Sequence, residues 1–299
     1  MSRLRRTAAG LHALRPIHWA MVTPALALLA VFLVVPAVYV TWLSTHTSTY
    51  GQDARFVGWA NYAAITADPA FWRALGNTIV VVNVVVYGEL LLGLGLALLL
   101  ARPTRGRGLI IALLLAPYAI TEASALAMWR AMLEPDVGLI NQTLIAAGLN
   151  QIEWATERWT ALMVAALVAI WHHLPFTFLI LYSAVTTVPR ELMEAAEIDG
   201  ASPFQRFRLV TLWVIMPAVL VAVLFRTIFA VRIFSEIWLL TEGGPARLTE
   251  VLAIYLYRAA FKYHEFGTAA AAGTIMLLLS LLIAAPYLWR LYHRLAQHA

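Results

Sequence analysis

The sequence predicts an all-α polytopic membrane protein, with six transmembrane helices and a short cytoplasmic helix between the fourth and the fifth. Three observations lead there. The composition is 62% hydrophobic and 12% charged, with a mean hydropathy of +0.78, whereas soluble domains carry about a quarter charged residues. Six apolar runs, 20–43, 78–100, 109–133, 159–185, 210–234 and 269–291, hold few charges. About 20 such residues cross a hydrocarbon layer of about 30 Å as a helix. The basic residues, finally, fall unevenly around those runs.

The first run follows a basic segment, 1–19. It exceeds the apolar core of about 7–15 residues in a secretory signal and lacks a small-residue cleavage site before Trp42, so it reads as a retained first span. The second run, like the others, must be helical because lipid offers no partner to backbone N–H and C=O groups. Stretches such as 80–86 and 90–100 do not alternate as the strands of a membrane barrel do. Prolines at 24, 36, 117, 175, 217 and 286 are expected to bend their helices locally rather than end them.

With the N-terminus inside, the inner set of basic residues is Arg3, Arg5, Arg6, Arg15, Arg102, Arg105, Arg107, Arg190, Arg206, Arg208, Arg290 and Arg294. The outer set, half as large, is Arg55, Arg73, Arg158, Arg247, Arg258 and Lys262. The bias places both termini in the cytoplasm. The net charge of +5 is thus a topology signal and no argument for nucleic-acid binding. There is no cysteine, which excludes disulfides and thiolate metal sites.

Between the fourth and fifth runs lies a polar island, Glu194, Ala195, Ala196, Glu197, Ile198, Asp199, Gly200 and Ala201. A helix over 189–199 would be about 16 Å long at about 1.5 Å per residue. Gly200 can take the left-handed conformation that stops it. Ser202, Pro203 and Gln205 then form a capping box that starts the next helix. The expected result is helix, sharp turn, helix, with Asp199 bonded to nearby backbone or paired with Arg206.

This island resembles the cytoplasmic loop of permease subunits of ATP-binding-cassette importers: Glu-Ala-Ala, three residues, Gly, then an apolar stretch ending in Leu-Pro. Glu194-Ala195-Ala196, Gly200 and Val214-Ile215-Met216-Pro217 fill those places, with Met216 where the family usually has Leu, a change of similar volume. The outer loops narrow the resemblance. Phe56, Gly58, Asn61, Tyr62, Phe71, Trp72, Leu75, Asn77 and Thr78 look like the first external loop of carbohydrate-uptake permeases of the maltose, glycerol-phosphate and trehalose type. Gly138, Ile140 and Asn141 resemble the second loop, and Thr241, Gly243, Gly244, Pro245, Tyr255, Tyr257, Phe261 and Gly267 the third.

The resemblance implies a six-helix transmembrane domain over 20–293, a coupling loop over 187–208 containing the cytoplasmic coupling helix, and a short tail, 294–299. It implies a multi-pass subunit of a prokaryotic cytoplasmic membrane, embedded in lipid. Its partners would be a second homologous permease subunit in a heterodimer, two copies of a cytosolic ATPase, and an extracytoplasmic sugar-binding protein. Glu194, Ala195, Ala196, Asp199 and Gly200 would couple to the ATPase. The chain has no Gly-x-x-x-x-Gly-Lys-Ser/Thr phosphate loop, so ATP and Mg would be cofactors of the partner and no catalytic residue is expected here.

The outer segments 44–77, 134–158 and 236–268 mix acidic residues, Asp53 among them, with Trp59, Trp72 and Trp154. These tryptophans suit either a docking surface or the aromatic belt of the bilayer. Ionisable residues at membrane depth usually face a bundle interior or a wet cavity. Asn83, Tyr87, Glu89, Trp171, Arg226, Arg232 and Trp238 are therefore candidates for a sugar path, with Glu122 and Glu236 nearby. Structural ion pairs between helices, such as Glu89 with Arg226, are the competing reading. His172 and His173 are adjacent, point about 100° apart on a helix and have no companion ligand, so no metal site is expected. A permease for another solute, an ion-driven transporter and an intramembrane enzyme are the rival functions. The first lacks support from the 56–62 and 241–245 patterns, the second from paired broken helices, and the third from any nucleophile and base.

Overall fold

The computed structural model describes residues 16–49, 54–103 and 105–298. Arg3, Arg5, Arg6, Arg15 and Asp53 lie outside the described residues. Five helices are long and apolar enough to cross a membrane, and a bent pair meets the same measure of length and composition as one broken span.

The first crossing candidate, Trp19–Leu43, joins α1 (Pro16–Leu29) to α2 (Val35–Leu43) through a π-helical turn, Ala30–Val34. Pro36 has no N–H to donate back along the helix, and the wider turn just before it absorbs the mismatch. No residue of Trp19–Leu43 is buried, although α2 touches the last helix.

Helix α3 (Pro69–Ala101) starts well before the expected run at 78. The Asp68 carboxylate accepts from the Ala70 N–H at 2.8 Å and Pro69 occupies the first turn, a local start signal that outweighs the polarity of the residues that follow. The expected third span, 109–133, is instead broken. Helix α4 (Arg107–Leu115) passes into a single 3₁₀ turn, Ala116–Ala119, and α5 (Glu122–Leu133) leaves at 98°. Pro117 lies in that turn, Ile120 is extended, and Thr121 restarts the chain by accepting the Ser124 N–H on its hydroxyl. Proline here does more than bend a helix.

Helix α6 (Arg158–Thr186) packs along α3 at the centre of the molecule. Glycine makes the contact close: a Cβ on Gly93 would meet Thr177 Cγ2 at 3.2 Å and the Phe178 backbone N at 3.3 Å. Small residues of this kind let helix backbones approach in an apolar medium.

Beyond α6 comes α7 (Arg190–Ile198), then α8 (Pro203–Arg206), a π turn (Phe207–Thr211) and α9 (Leu212–Val231). The last three run together as one apolar stretch, Pro203–Val231. The expected fifth span thus begins earlier than 210 and ends before 234, where the backbone turns at Phe234. Helix α10 (Phe266–His298) packs on α9 and takes in most of the expected tail. One half of the core gathers Val81, Val85, Leu162, Ala165, Ile233 and Ile254, and another gathers Ala97, Leu100, Phe178, Leu181 and Ile215 nearer α7.

At the end remote from α7, the long connections form a stapled cap. A two-stranded antiparallel ribbon, β1 (His46–Thr47) with β2 (Arg55–Phe56), pairs His46 with Phe56 and adds a little strand to the expected all-α fold. Asn61 donates to the Ser44 and His46 carbonyls at 2.8 and 2.9 Å. Asn77 donates to the Leu248 and Glu250 carbonyls at 2.9 and 2.7 Å and accepts from Arg158 Nε at 2.9 Å. Thr78 accepts the Leu252 N–H, and Asn141 holds Ile152 on both its polar faces. Glu250 is buried and takes a two-pronged contact from Arg247 at 2.6 and 2.9 Å. Loop residues far apart in sequence are thereby fastened to the start of α3.

Trp154 belongs to neither of its expected settings: it is buried, with its indole N–H on the Leu133 carbonyl at 2.6 Å. Trp59 and Trp72 are exposed.

Candidate functional site: a polar cavity and an exposed elbow

A cavity of about 370 Å³ opens among the middle helices. The break after α4 supplies Tyr118 and the start of α5 Glu122, α6 supplies His173 and Phe176, α9 supplies Arg226 and Phe229, the turn after α9 supplies Arg232 and Phe234, and the short helix Ser235–Thr241 supplies Ser235 and Glu236. Its wall is therefore aromatic and polar together. Phe176 and Phe229 meet edge to face at 6.3 Å. His173 Nε2 lies 3.3 Å from Glu236 Oε1.

Behind this wall Glu89 is fully buried. Arg226 binds it with two nitrogens, Nε to Oε2 and a terminal nitrogen to Oε1, each at 2.6 Å, and the Thr177 hydroxyl adds a third contact at 3.0 Å. Buried charge is tolerated only with such pairing. Among the described residues, Glu122 and Arg232 form no ion pair, so these two present their charges to the cavity.

The elbow stands apart from the cavity. Gly200 has φ of +75°; its N–H bonds to the Glu197 carbonyl at 3.0 Å and the Ala201 N–H to the Ala196 carbonyl at 2.9 Å. This is the glycine stop the sequence predicts. The capping box forms as well, Ser202 with Gln205 in both directions. Only Met193 and Ala196 of α7 are partly covered; Glu194, Ala195, Ile198 and Asp199 are exposed. Arg206 bonds Glu197 at 2.7 Å rather than Asp199; Glu197 follows Met193 by one turn of α7, whereas Asp199 is the exposed residue that ends the helix.

A family model described as the binding-protein-dependent transport system inner membrane component matches residues 12–289. The chain belongs to that family. As an inner membrane component, it is similar to the sulfoquinovosyl glycerol transport system permease protein SmoG of Agrobacterium fabrum, at 33% identity over 271 residues, covering 90% of this chain and 88% of that one. It is also similar to the trehalose/maltose transport system permease protein MalF of Thermococcus litoralis, at 33% identity over 264 residues and 88% of each chain. In fold it matches a chain of a bacterial alginate ABC transporter, solved in complex with an alginate pentasaccharide-bound periplasmic protein, with a TM-score of 0.80 at 21% identity over 91% of this chain and 92% of that one.

The residues picked out as a path are divided in this inner membrane component. Arg226 and Arg232 line the cavity, and Glu89 supports Arg226 from behind. Trp171 packs edge to face on Trp129, and Trp238 packs among Phe234, Tyr257 and Arg258. Asn83 and Tyr87 line a separate, smaller cavity of about 240 Å³ with Thr227 and Tyr287, and Asn83 donates back to its own helix at Ile79. Sequence reasoning missed Tyr118, Phe176, Phe229 and Ser235. The start signal at Thr121 with Glu122 was the available clue to the broken helix that brings Tyr118 in.

Proposed function

We propose that this chain is the permease subunit of an ATP-driven sugar importer. One observation carries the reading: a cavity among the apolar helices that joins aromatic faces to hydrogen-bonding groups, the combination that sugars take, in a chain whose relatives include permeases named for trehalose, maltose and sulfoquinovosyl glycerol. Sugar hydroxyls would bond Glu122, Arg232, Ser235 and Glu236, while ring faces stack on Tyr118, Phe176 and Phe229. The bent pair α4–α5 serves as one span in a six-span subunit, with both termini and the elbow in the cytoplasm.

A second homologous permease would complete the path. Two copies of a cytosolic ATPase, holding ATP and Mg, would grip the elbows, and an external binding protein would deliver the sugar. The exposed face of α7, with Glu194 beside Ala195 and Ile198, suits a cleft on the ATPase. Domain closure there would switch the cavity from one side of the membrane to the other.

Reconstituted with its partners in liposomes, the subunit should import maltose, trehalose or sulfoquinovosyl glycerol when supplied with ATP. Glu194→Lys should lower that uptake about tenfold while insertion persists, a coupling loss in the usual range. Uptake that ignores ATP and collapses with the proton gradient would replace this reading with an ion-driven one.

A further inference from the structure

The two ends of the elbow are attached very differently. On the α6 side, the helix ends at Thr186 and the chain passes through Thr187, Val188 and Pro189. Pro189 is extended, at φ −61° and ψ 131°, and gives no side-chain cap to the first turn of α7. Proline has no N–H, so no helical bond can carry α6 across this point.

On the α8 side the joint is closed at every level. The backbone bonds at Gly200 and Ala201 lock the turn. The Ser202 and Gln205 box locks the restart, and Arg206 N–H bonds the Ser202 carbonyl at 2.9 Å. Two side-chain contacts then tie α7 back onto the helix it feeds: Arg206 to Glu197 at 2.7 Å, and Thr211 Oγ1 to Met193 Sδ at 3.6 Å. The Glu197 side chain is 67% exposed, and exposed pairs contribute little alone. Met193 and the turn therefore hold most of the joint.

A space of about 340 Å³ lies between the joint and the ends of α3 and α6, bordered by Ala101, Val185 and Val188 on one side and by Met193, Arg206 and Thr211 on the other. It separates the elbow from the ends of α3 and α6 and leaves room for movement on that side. The stretch from Pro203 to Val231 runs on as one helical segment, through the π turn Phe207–Thr211 and past Pro217, with no non-helical residue between. Arg226 and Phe229, on its far part, form the cavity wall.

We infer that the elbow is a rigid extension of the α8–α9 helix, hinged to α6 at Val188–Pro189, so that force applied to α7 reaches the cavity through α9. Met193, Arg206 and Thr211 are the positioning residues of the joint. From Arg206 to Arg226 the lever is about 30 Å long at about 1.5 Å per residue. Its turning displaces Arg226 against Glu89 on α3 and Phe229 against Phe176 on α6. The inference rests on the proposed docking of an ATPase on α7 and adds which helix responds.

The chain has no cysteine, so spin-label pairs can be placed directly in the reconstituted transporter. One pair, at Leu192→Cys and Leu209→Cys, spans the joint; the other, at Leu192→Cys and Ser183→Cys, spans the hinge. All three positions are exposed. Trapping the ATPase with ATP, Mg and vanadate should leave the joint distance unchanged and shift the hinge distance by more than its own width. Met193→Ala with Arg206→Ala should broaden the joint distance and lower transport per ATP about tenfold, on the scale of typical coupling energies. Met193→Leu alone should preserve both. A joint distance that shifts on trapping, or a hinge distance that does not, overturns the inference. Docking is read separately, by whether the ATPase co-purifies, so its failure is distinct from a failure of the hinge.

Discussion

Glu89 and Arg226 show at the scale of one residue pair why the sequence left two readings open. Both side chains are buried and bound to one another, so the pair is structural, yet Arg226 also faces the cavity. Glu89→Leu would strand the guanidinium in an apolar setting, and the purified complex should lose about 3–5 kcal/mol of stability in thermal unfolding. Pairing Glu89→Leu with Arg226→Met should recover much of that loss, because two apolar groups of similar volume remove both desolvation costs. Equal losses in the single and double variants would mean that the pair is not what holds α3 to α9. Outside the apolar helices, burial pushes the Tyr255 phenol above its ordinary range, with Asp68 beside it adding to the effect. That raised group stabilises the cap at any pH below the usual tyrosine range and would release it only on titration above.

Helices divide into those whose ends are written locally and those whose course is set by neighbours. The stop at Gly200 and the box at Ser202 were legible because each needs only a few adjacent residues. The break at Ile120–Thr121 was only half legible: Thr121 marks a helix start, but Pro117 is compatible with a mild bend, and the 98° turn that brings Tyr118 and Glu122 to the cavity rim is a tertiary feature. The α3–α6 contact also depends on a partner. Gly93→Leu should destabilise it by about 1–3 kcal/mol through overpacking, because a side chain there meets the Phe178 backbone; unchanged unfolding would show that the two helices separate easily.

The orientation proposed for the whole molecule rests on the arginine bias and is open to direct labelling. Val137 lies at the capped end and Ala195 on the elbow, both exposed. An impermeant maleimide should modify Val137→Cys on intact cells and Ala195→Cys only after the membrane is opened. The reverse pattern would place the elbow outside and remove any role for a cytosolic ATPase.

Hydrophobic content, run length and charge bias come from composition and order alone, and they determined a helical membrane protein with an exposed elbow. So did the short-range signals, Asp68 with Pro69, Gly200, and Ser202 with Gln205. Which groups share the cavity was decided only by tertiary structure. Arg226 lies 137 residues from Glu89 and Glu236 lies 63 from His173, and no periodicity within one helix sets the rotation of another. Asn83 and Tyr87 share the chemistry expected of a path with Arg226 and Arg232, and it is helix packing that sets the two pairs in different cavities.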